Sequence, residues 1–136
     1  MNPTITCYLV DDDHDDQEIF SMAIENLGLN IKCKFASNGF EAIEKLKGEQ
    51  TFLPDFIFMD LNMPRMNGRQ CLAEIKKITH LKEVPVIMYS TSSRQSDIAD
   101  LLQMGASAYI AKPSSIPALM TELLKVFEQK KVVLSA

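Results

Sequence analysis

Short apolar runs alternate with amphipathic segments along the chain, and the alternation occurs five times. The runs are rich in β-branched and aromatic residues, and they predict strands at residues 5–10, 31–36, 55–59, 85–89 and 108–111. The segment after the first run predicts a helix over about 13–27, with an apolar face formed by Ile19, Phe20, Ala23, Ile24 and Leu27. Similar faces predict a helix after each later strand. Asn38, with Glu41 three residues further on, predicts a capping box at the start of the second helix.

Strands that are apolar throughout are typical of a parallel sheet covered on both faces by helices. Five strand–helix units of this kind predict an α/β fold, a (βα)₅ doubly wound sheet. Right-handed crossovers place the carboxyl ends of all parallel strands at one edge, and ligands of such sheets bind outside that edge. The residues that directly follow each strand are therefore the candidates for function.

Composition narrows the classes of protein further. With 136 residues, 46% of them hydrophobic and 24% charged, we expect a single domain over residues 1–136 with a core over about 4–130 and no output domain. The net charge is -4 and no basic cluster occurs, so direct binding of nucleic acid is not expected. No signal peptide or apolar stretch of about 20 residues is present, which predicts a cytoplasmic protein that does not bind membranes.

Side chains that bind metals or phosphates follow four of the five predicted strands. In chain order they are Asp11, Asp12, Asp13, Asp60, Ser90, Thr91 and Lys112. Carboxylates held close together repel one another, and a hard divalent cation relieves this repulsion. Mg²⁺ prefers such oxygen ligands, so the sequence predicts a magnesium site at this edge. Asp13, Asp15 and Asp16 are instead expected to cap the first helix and to compensate its dipole.

The same residues suit phosphoryl transfer to a carboxylate. A carboxylate can attack phosphorus, and the transferred group then needs charge compensation on its three equatorial oxygens. Asp60 is the predicted nucleophile because it stands alone after the third strand, whereas Asp11 and Asp12 are adjacent and suited to sharing a metal ion. Lys112 and the Ser90 hydroxyl could bind the phosphoryl oxygens.

Four segments of the chain resemble the signature blocks of response-regulator receiver domains. They are YLVDDD at 8–13, MDLNMP at 59–64, PVIMYS at 85–90 and GASAYIAKP at 105–113. The resemblance covers nearly the whole chain. With the five units above, it predicts a five-stranded parallel sheet with the flavodoxin-like strand order 2-1-3-4-5.

The resemblance also implies roles for individual residues. Asp60 would be the phosphoacceptor, and Asp11 and Asp12 the acidic pair. Mg²⁺ would bind to Asp12, Asp60 and the backbone carbonyl of Asn62. Ser90 would be the switch hydroxyl, Lys112 the phosphate-binding lysine and Tyr109 the aromatic residue that turns inward on activation. Such domains also commonly have a cis bond at the position of Lys112-Pro113.

Two departures from the family pattern leave alternatives open. Three aspartates follow the first strand, so the acidic pair could be Asp12 and Asp13 instead of Asp11 and Asp12. Thr91 stands where the family often has a small residue, and it could itself be the switch hydroxyl.

The favoured function is a signalling switch, not an enzyme. A sensor histidine kinase or a histidine phosphotransfer protein would phosphorylate Asp60, and the face formed by the fourth helix, fifth strand and fifth helix would change for an unknown downstream protein. The alternative is a Mg²⁺-dependent phosphatase of the haloacid-dehalogenase type, with Asp11-Asp12-Asp13 supplying the Asp-x-Asp after the first strand. A flavodoxin-like mononucleotide binder is disfavoured, because carboxylates stand where a phosphate loop would offer N–H groups.

Overall fold

The computed structural model describes residues 4–48, 53–92 and 94–135. Its strands are β1 (Ile5–Val10), β2 (Ile31–Ala36), β3 (Phe56–Met59), β4 (Val86–Ser90) and β5 (Ala108–Ala111). Its helices are α1 (His14–Asn26), α2 (Gly39–Gly48), α3 (Gly68–Lys76), α4 (Gln95–Gln103) and α5 (Ile116–Ser135), with a 3₁₀ turn at Thr79–Leu81. All strand pairs are parallel and the order is β2-β1-β3-β4-β5. The predicted fold class and strand order are confirmed.

Three predicted strands have the observed bounds, and two are shifted by one residue. β3 begins after Asp55, because the Asp55 carboxylate accepts a hydrogen bond from the Thr6 N–H at 2.8 Å and its backbone N–H donates to the Thr6 carbonyl. β4 begins after Pro85, which has no N–H to contribute to the sheet, and extends to Ser90. Ser90 is therefore the last residue of β4, at the edge of the sheet where the carboxyl ends of the strands lie.

Side chains alternate between the two faces of the sheet and form two cores. In β1, Tyr8 and Val10 pack on the face covered by α2, α3 and α4, while Cys7 and Leu9 pack on the face covered by α1 and α5. The second core is rich in aromatic rings, including a Phe20–Phe58 edge contact at 5.1 Å between centroids. Burial of both faces explains why the central strand β3 is apolar throughout, whereas the edge strand β2 has the exposed residues Lys32 and Lys34 on one face.

The starts of α2 and α3 are capped by polar side chains. Asn38 accepts a hydrogen bond from the Glu41 N–H at 2.8 Å, as predicted, but the Glu41 carboxylate accepts from the Ser37 N–H instead of from Asn38. A complete capping box occurs at α3, between Asn67 and Gln70. These caps fix where α2 and α3 begin relative to the strands before them.

No helix within the described ranges has the length and apolar character needed to cross a bilayer.

Candidate functional site

Three carboxylates converge at the edge where β1 and β3 end. Asp11, Asp12 and Asp60 each offer an oxygen atom within 4.8 Å of the others. Asp11 is fully buried, Asp60 is 5% exposed and Asp12 is exposed. The main chain holds two of them in place, because the Asp60 N–H donates to the Val10 carbonyl at 2.9 Å and the Asp11 N–H donates to the Ala36 carbonyl at 3.0 Å. The sheet itself thus positions the acidic cluster.

Asp13 lies outside this cluster. Its side chain caps α1 by accepting hydrogen bonds from the N–H groups of Asp15, at 2.9 Å, and Asp16, at 3.3 Å. Of the two pairs that the sequence left open, the structure places Asp11 and Asp12 next to Asp60. The predicted capping role of Asp13 is consistent with this geometry.

Lys112 links the three acidic segments of the site. Its ammonium Nζ lies 3.0 Å from Asp11 Oδ2, 2.7 Å from Asp16 Oδ2 and 3.6 Å from Asp60 Oδ1. The side chain is 8% exposed, and the ammonium also lies 5.2 Å from the centroid of the Tyr89 ring. Lys112 therefore provides the positive charge that compensates a buried group of carboxylates.

Asp16 is a site residue that the sequence pattern did not predict. It was expected to compensate the dipole of α1, yet its side chain binds the Lys112 ammonium. Asp16 lies in the first turn of α1, two residues after the helix begins at His14, and no spacing in the sequence relates it to Lys112, 96 residues away.

Burial and charge shift the titration of the site in opposite directions. Burial raises the pKa of Asp60 to about 6, although the Lys112 charge lowers it and the Asp11 charge raises it further. Burial also raises the pKa of Asp11 above its ordinary value, against a hydrogen bond from the Asp13 N–H and the contact with Lys112. Burial works to lower the pKa of Lys112, but its hydrogen bonds to Asp16 and Asp11 outweigh burial and leave the pKa above its ordinary value. The edge therefore carries more negative charge than one ammonium balances.

The donor set fits a hard divalent cation. Carboxylate oxygens are the ligands that Mg²⁺ and similar ions prefer, and Asp12 is exposed enough to leave water a place in the coordination shell. A bound cation would also offset the burial and the carboxylate repulsion that raise the pKa values of Asp60 and Asp11.

Ser90 and Tyr109 are joined through the loop after β4. Ser90 is fully buried, and its hydroxyl oxygen accepts from the Ser92 N–H at 3.4 Å and lies 3.5 Å from the Asn62 side-chain nitrogen. The Tyr109 hydroxyl donates to the Ser92 carbonyl. Thr91 is exposed, so Ser90 is the hydroxyl on the inner side of the site.

The bond before Pro113 differs from the expectation. No cis peptide bond occurs among the described residues, so Lys112-Pro113 is trans. The trans form of an X-Pro bond is favoured by about 0.5–1 kcal/mol, and the contacts of Lys112 are all made in this form.

Comparison with known proteins agrees with the fold. The family model of the response regulator receiver domain matches residues 7–124. Chemotaxis protein CheY-3 of Vibrio cholerae is 31% identical over 129 residues, covering 95% of this chain and 96% of that protein.

Solved structures give the same result. The phosphorylated cyanobacterial phytochrome response regulator RcpA is similar with a TM-score of 0.80 and 30% identity, covering 93% of both chains. A chain of the CheX–CheY–BeF₃–Mg²⁺ complex from Borrelia burgdorferi is similar with a TM-score of 0.76 and 28% identity, covering 90% of this chain and 89% of that chain.

These matches separate the two functions that the sequence allowed. Receiver domains are signalling switches that bind divalent metal, and they are not classical enzymes. The phosphatase alternative finds no support among the matches. The chain belongs to the family of response regulator receiver domains.

Proposed function

We propose that the protein is a phosphoacceptor switch in which Asp60 receives a phosphoryl group from a sensor histidine kinase or a histidine phosphotransfer protein. The observation that carries the proposal is the placement of the Asp60 carboxylate between an acidic pair and a buried ammonium. In the reaction an Asp60 oxygen forms a bond to phosphorus, the phosphorus–nitrogen bond of the phosphohistidine breaks, and the electron pair returns to the imidazole nitrogen. The product is an acyl phosphate.

Phosphoryl transfer of this kind depends on charge compensation and alignment, not on an acid or a base. Asp11, Asp12 and Asp60, with the backbone carbonyl of Asn62, would hold Mg²⁺, which compensates the charge of the transferred group when it is bound. Lys112 would donate a hydrogen bond to a second phosphoryl oxygen, since its ammonium is already 3.6 Å from Asp60.

Ser90 would bind a third phosphoryl oxygen and transmit the change. Its hydroxyl contacts the Ser92 N–H, and the Ser92 carbonyl accepts from Tyr109, so a movement of Ser90 toward phosphate would displace the partner of Tyr109. Tyr109 lies on β5 between α4 and α5. We propose that the α4–β5–α5 face is the surface that a downstream protein distinguishes in the two states.

We propose that the switch acts in the cytoplasm, because the histidine kinase proposed as its donor would draw its phosphoryl group from intracellular ATP.

Incubation with acetyl phosphate and Mg²⁺ tests the proposal. We expect intact-mass spectrometry to show an increase of one phosphoryl group, which is lost with excess EDTA and in the variant Asp60→Asn. Asp15→Asn is the matched control, because it removes an equal charge from an exposed position in α1 and should keep the label. Phosphorylation that persists in Asp60→Asn, or no phosphorylation of the wild-type protein, would contradict the proposal.

A further inference from the structure

The Lys112 ammonium is held closer to α1 than to the candidate phosphoacceptor. Its distance to Asp16 Oδ2 is 2.7 Å, to Asp11 Oδ2 3.0 Å and to Asp60 Oδ1 3.6 Å. The first two are good charge-assisted hydrogen bonds, and the third is too long for one. In this state Lys112 is thus committed to two carboxylates that do not accept the phosphoryl group.

The two carboxylates are held differently. Asp11 has no exposed side-chain surface, and its Oδ1 accepts from the Asp13 N–H at 3.0 Å while its carbonyl accepts from the Gln17 side-chain amide at 2.7 Å. Asp16 extends from the first turn of α1, and its side chain is 26% exposed. When Lys112 leaves, water can solvate the Asp16 carboxylate, whereas Asp11 would remain buried with its charge less compensated. Asp16 is therefore the partner from which Lys112 is more easily released.

We infer that Asp16 is a positioning residue that holds Lys112 in the unphosphorylated state and competes with the phosphoryl oxygens for its ammonium. The inference rests on the proposed function of Asp60. Before Lys112 can contact a group on Asp60, its ammonium must move toward β3 and give up or lengthen its bond to Asp16. Asp16 thereby lowers the stability of the phosphorylated state and sets the fraction of protein that is phosphorylated at a given supply of phosphodonor.

The binding of beryllofluoride, a phosphoryl mimic, tests the competition without a chemical step. In the presence of Mg²⁺, we expect Asp16→Asn to bind beryllofluoride about fivefold more tightly than wild type by titration calorimetry, as for coupled groups in one ion-pair network. Asp15→Asn, with the same loss of charge one residue away, should bind with wild-type affinity. Asp16→Glu keeps a carboxylate and should stay closer to wild type than to Asp16→Asn.

A double-mutant cycle on urea unfolding, without metal, tests the pair in the resting protein. Asp16→Asn and Lys112→Met should be non-additive, whereas Asp15→Asn and Lys112→Met should be additive. Additivity of the first pair would overturn the inference.

The outcomes also separate this inference from the proposed function. If wild type binds beryllofluoride and Asp16→Asn binds no more tightly than Asp15→Asn, Asp16 does not compete for Lys112, and the role of Asp60 stands. If wild type neither binds beryllofluoride nor accepts phosphate from acetyl phosphate, both conclusions fail together.

Discussion

At the scale of single residues, Asp60 is a buried carboxyl group that must be ionised to act as the proposed phosphoacceptor. Its folded pKa is raised to about 6, above its ordinary value near 4, chiefly by burial. The folded protein therefore binds this proton more tightly than the unfolded chain does. The resulting contribution to stability is fully present below about pH 4 and is lost as the pH rises through about 6.

Asp60→Asn should therefore stabilise the metal-free protein at neutral pH. We expect its free energy of unfolding at pH 7.5 to exceed that of wild type by about 1–2 kcal/mol, because the amide does not carry the buried charge. The gain should shrink toward zero at pH 4, where the folded wild type carries the proton and the unfolded chain is about half protonated. Urea unfolding in EDTA at the two pH values measures this difference, with Asp15→Asn as the control. A loss of stability at pH 7.5 would show that Lys112 fully compensates the Asp60 charge.

The positions of most site residues could be predicted from the sequence, and their contacts could not. The parallel sheet alone brings strand ends to one edge, and this placed Asp11, Asp60 and Lys112, which follow strands, together with Ser90, which ends one. The preference for Asp11 and Asp12 over Asp13, and the contact of Asp16 with Lys112, depend on how α1 is rotated above that edge. Side-chain directions of this kind have no signal in a pattern of apolar residues.

At the scale of elements, the junction between β3 and α3 is packed without spare room. Gly68, the first residue of α3, donates its N–H to the Leu61 carbonyl at 2.8 Å. A Cβ built on Gly68 would lie 2.3 Å from the Asp60 carbonyl oxygen and 2.7 Å from the Leu61 Cα. Because both neighbours are backbone atoms, neither can turn away, so the absence of a side chain at Gly68 lets α3 begin directly beside the candidate phosphoacceptor.

Gly68→Ala should displace this junction. We expect it to lower the free energy of unfolding by about 2–3 kcal/mol, the upper part of the range for overpacking, and to shift the amide signals of Asp60 and Leu61 in NMR spectra. Gly48→Ala is the matched control, because nothing lies within 4 Å of a Cβ at Gly48, and alanine should leave stability unchanged or raise it by about 0.5–1 kcal/mol. Equal stabilities of the two variants would mean that the junction yields easily.

The observed bounds of the strands match the predicted ones except where a contact that the apolar pattern does not contain determines where a strand begins. β1, β2 and β5 have their predicted bounds, since their apolar runs end where the strands do. β3 begins late because Asp55 turns its carboxylate to the Thr6 N–H, a pairing across 49 residues that the pattern does not contain. The Asn67–Gln70 capping box is present in the sequence, but it became evident only with α3 in view.

At the scale of the whole molecule, the five helices are anchored to the two cores unequally. In the part of the chain that the structure describes, α4 buries one side chain, Leu101, whereas α1 buries Phe20, Ala23 and Ile24. Half-exposed ion pairs from Arg69 to Asp97 and Asp100, at 3.4 and 3.7 Å, add little to the hold on α4. α5 buries Leu119, Leu123 and Phe127 against the aromatic core. A movement of the β4–α4 loop should therefore displace α4 more easily than the helices that bury more side chains.

This asymmetry predicts where the molecule changes on activation. With beryllofluoride and Mg²⁺, we expect amide hydrogen exchange to change in the loop after β4, in α4 and in β5, because Ser90 and Tyr109 contact that loop and few buried contacts resist its movement. Exchange in α1 beyond its first turn and in β2 should stay as it was, since the Phe20–Phe58 and Phe56–Phe127 contacts belong to the opposite core. Mass spectrometry of peptides after timed exchange measures both regions, and Asp60→Asn controls for ligand added without binding. A change in exchange that is equal on both faces would mean that phosphorylation loosens the sheet as a whole. That result would contradict the proposal that the α4–β5–α5 face is the output surface.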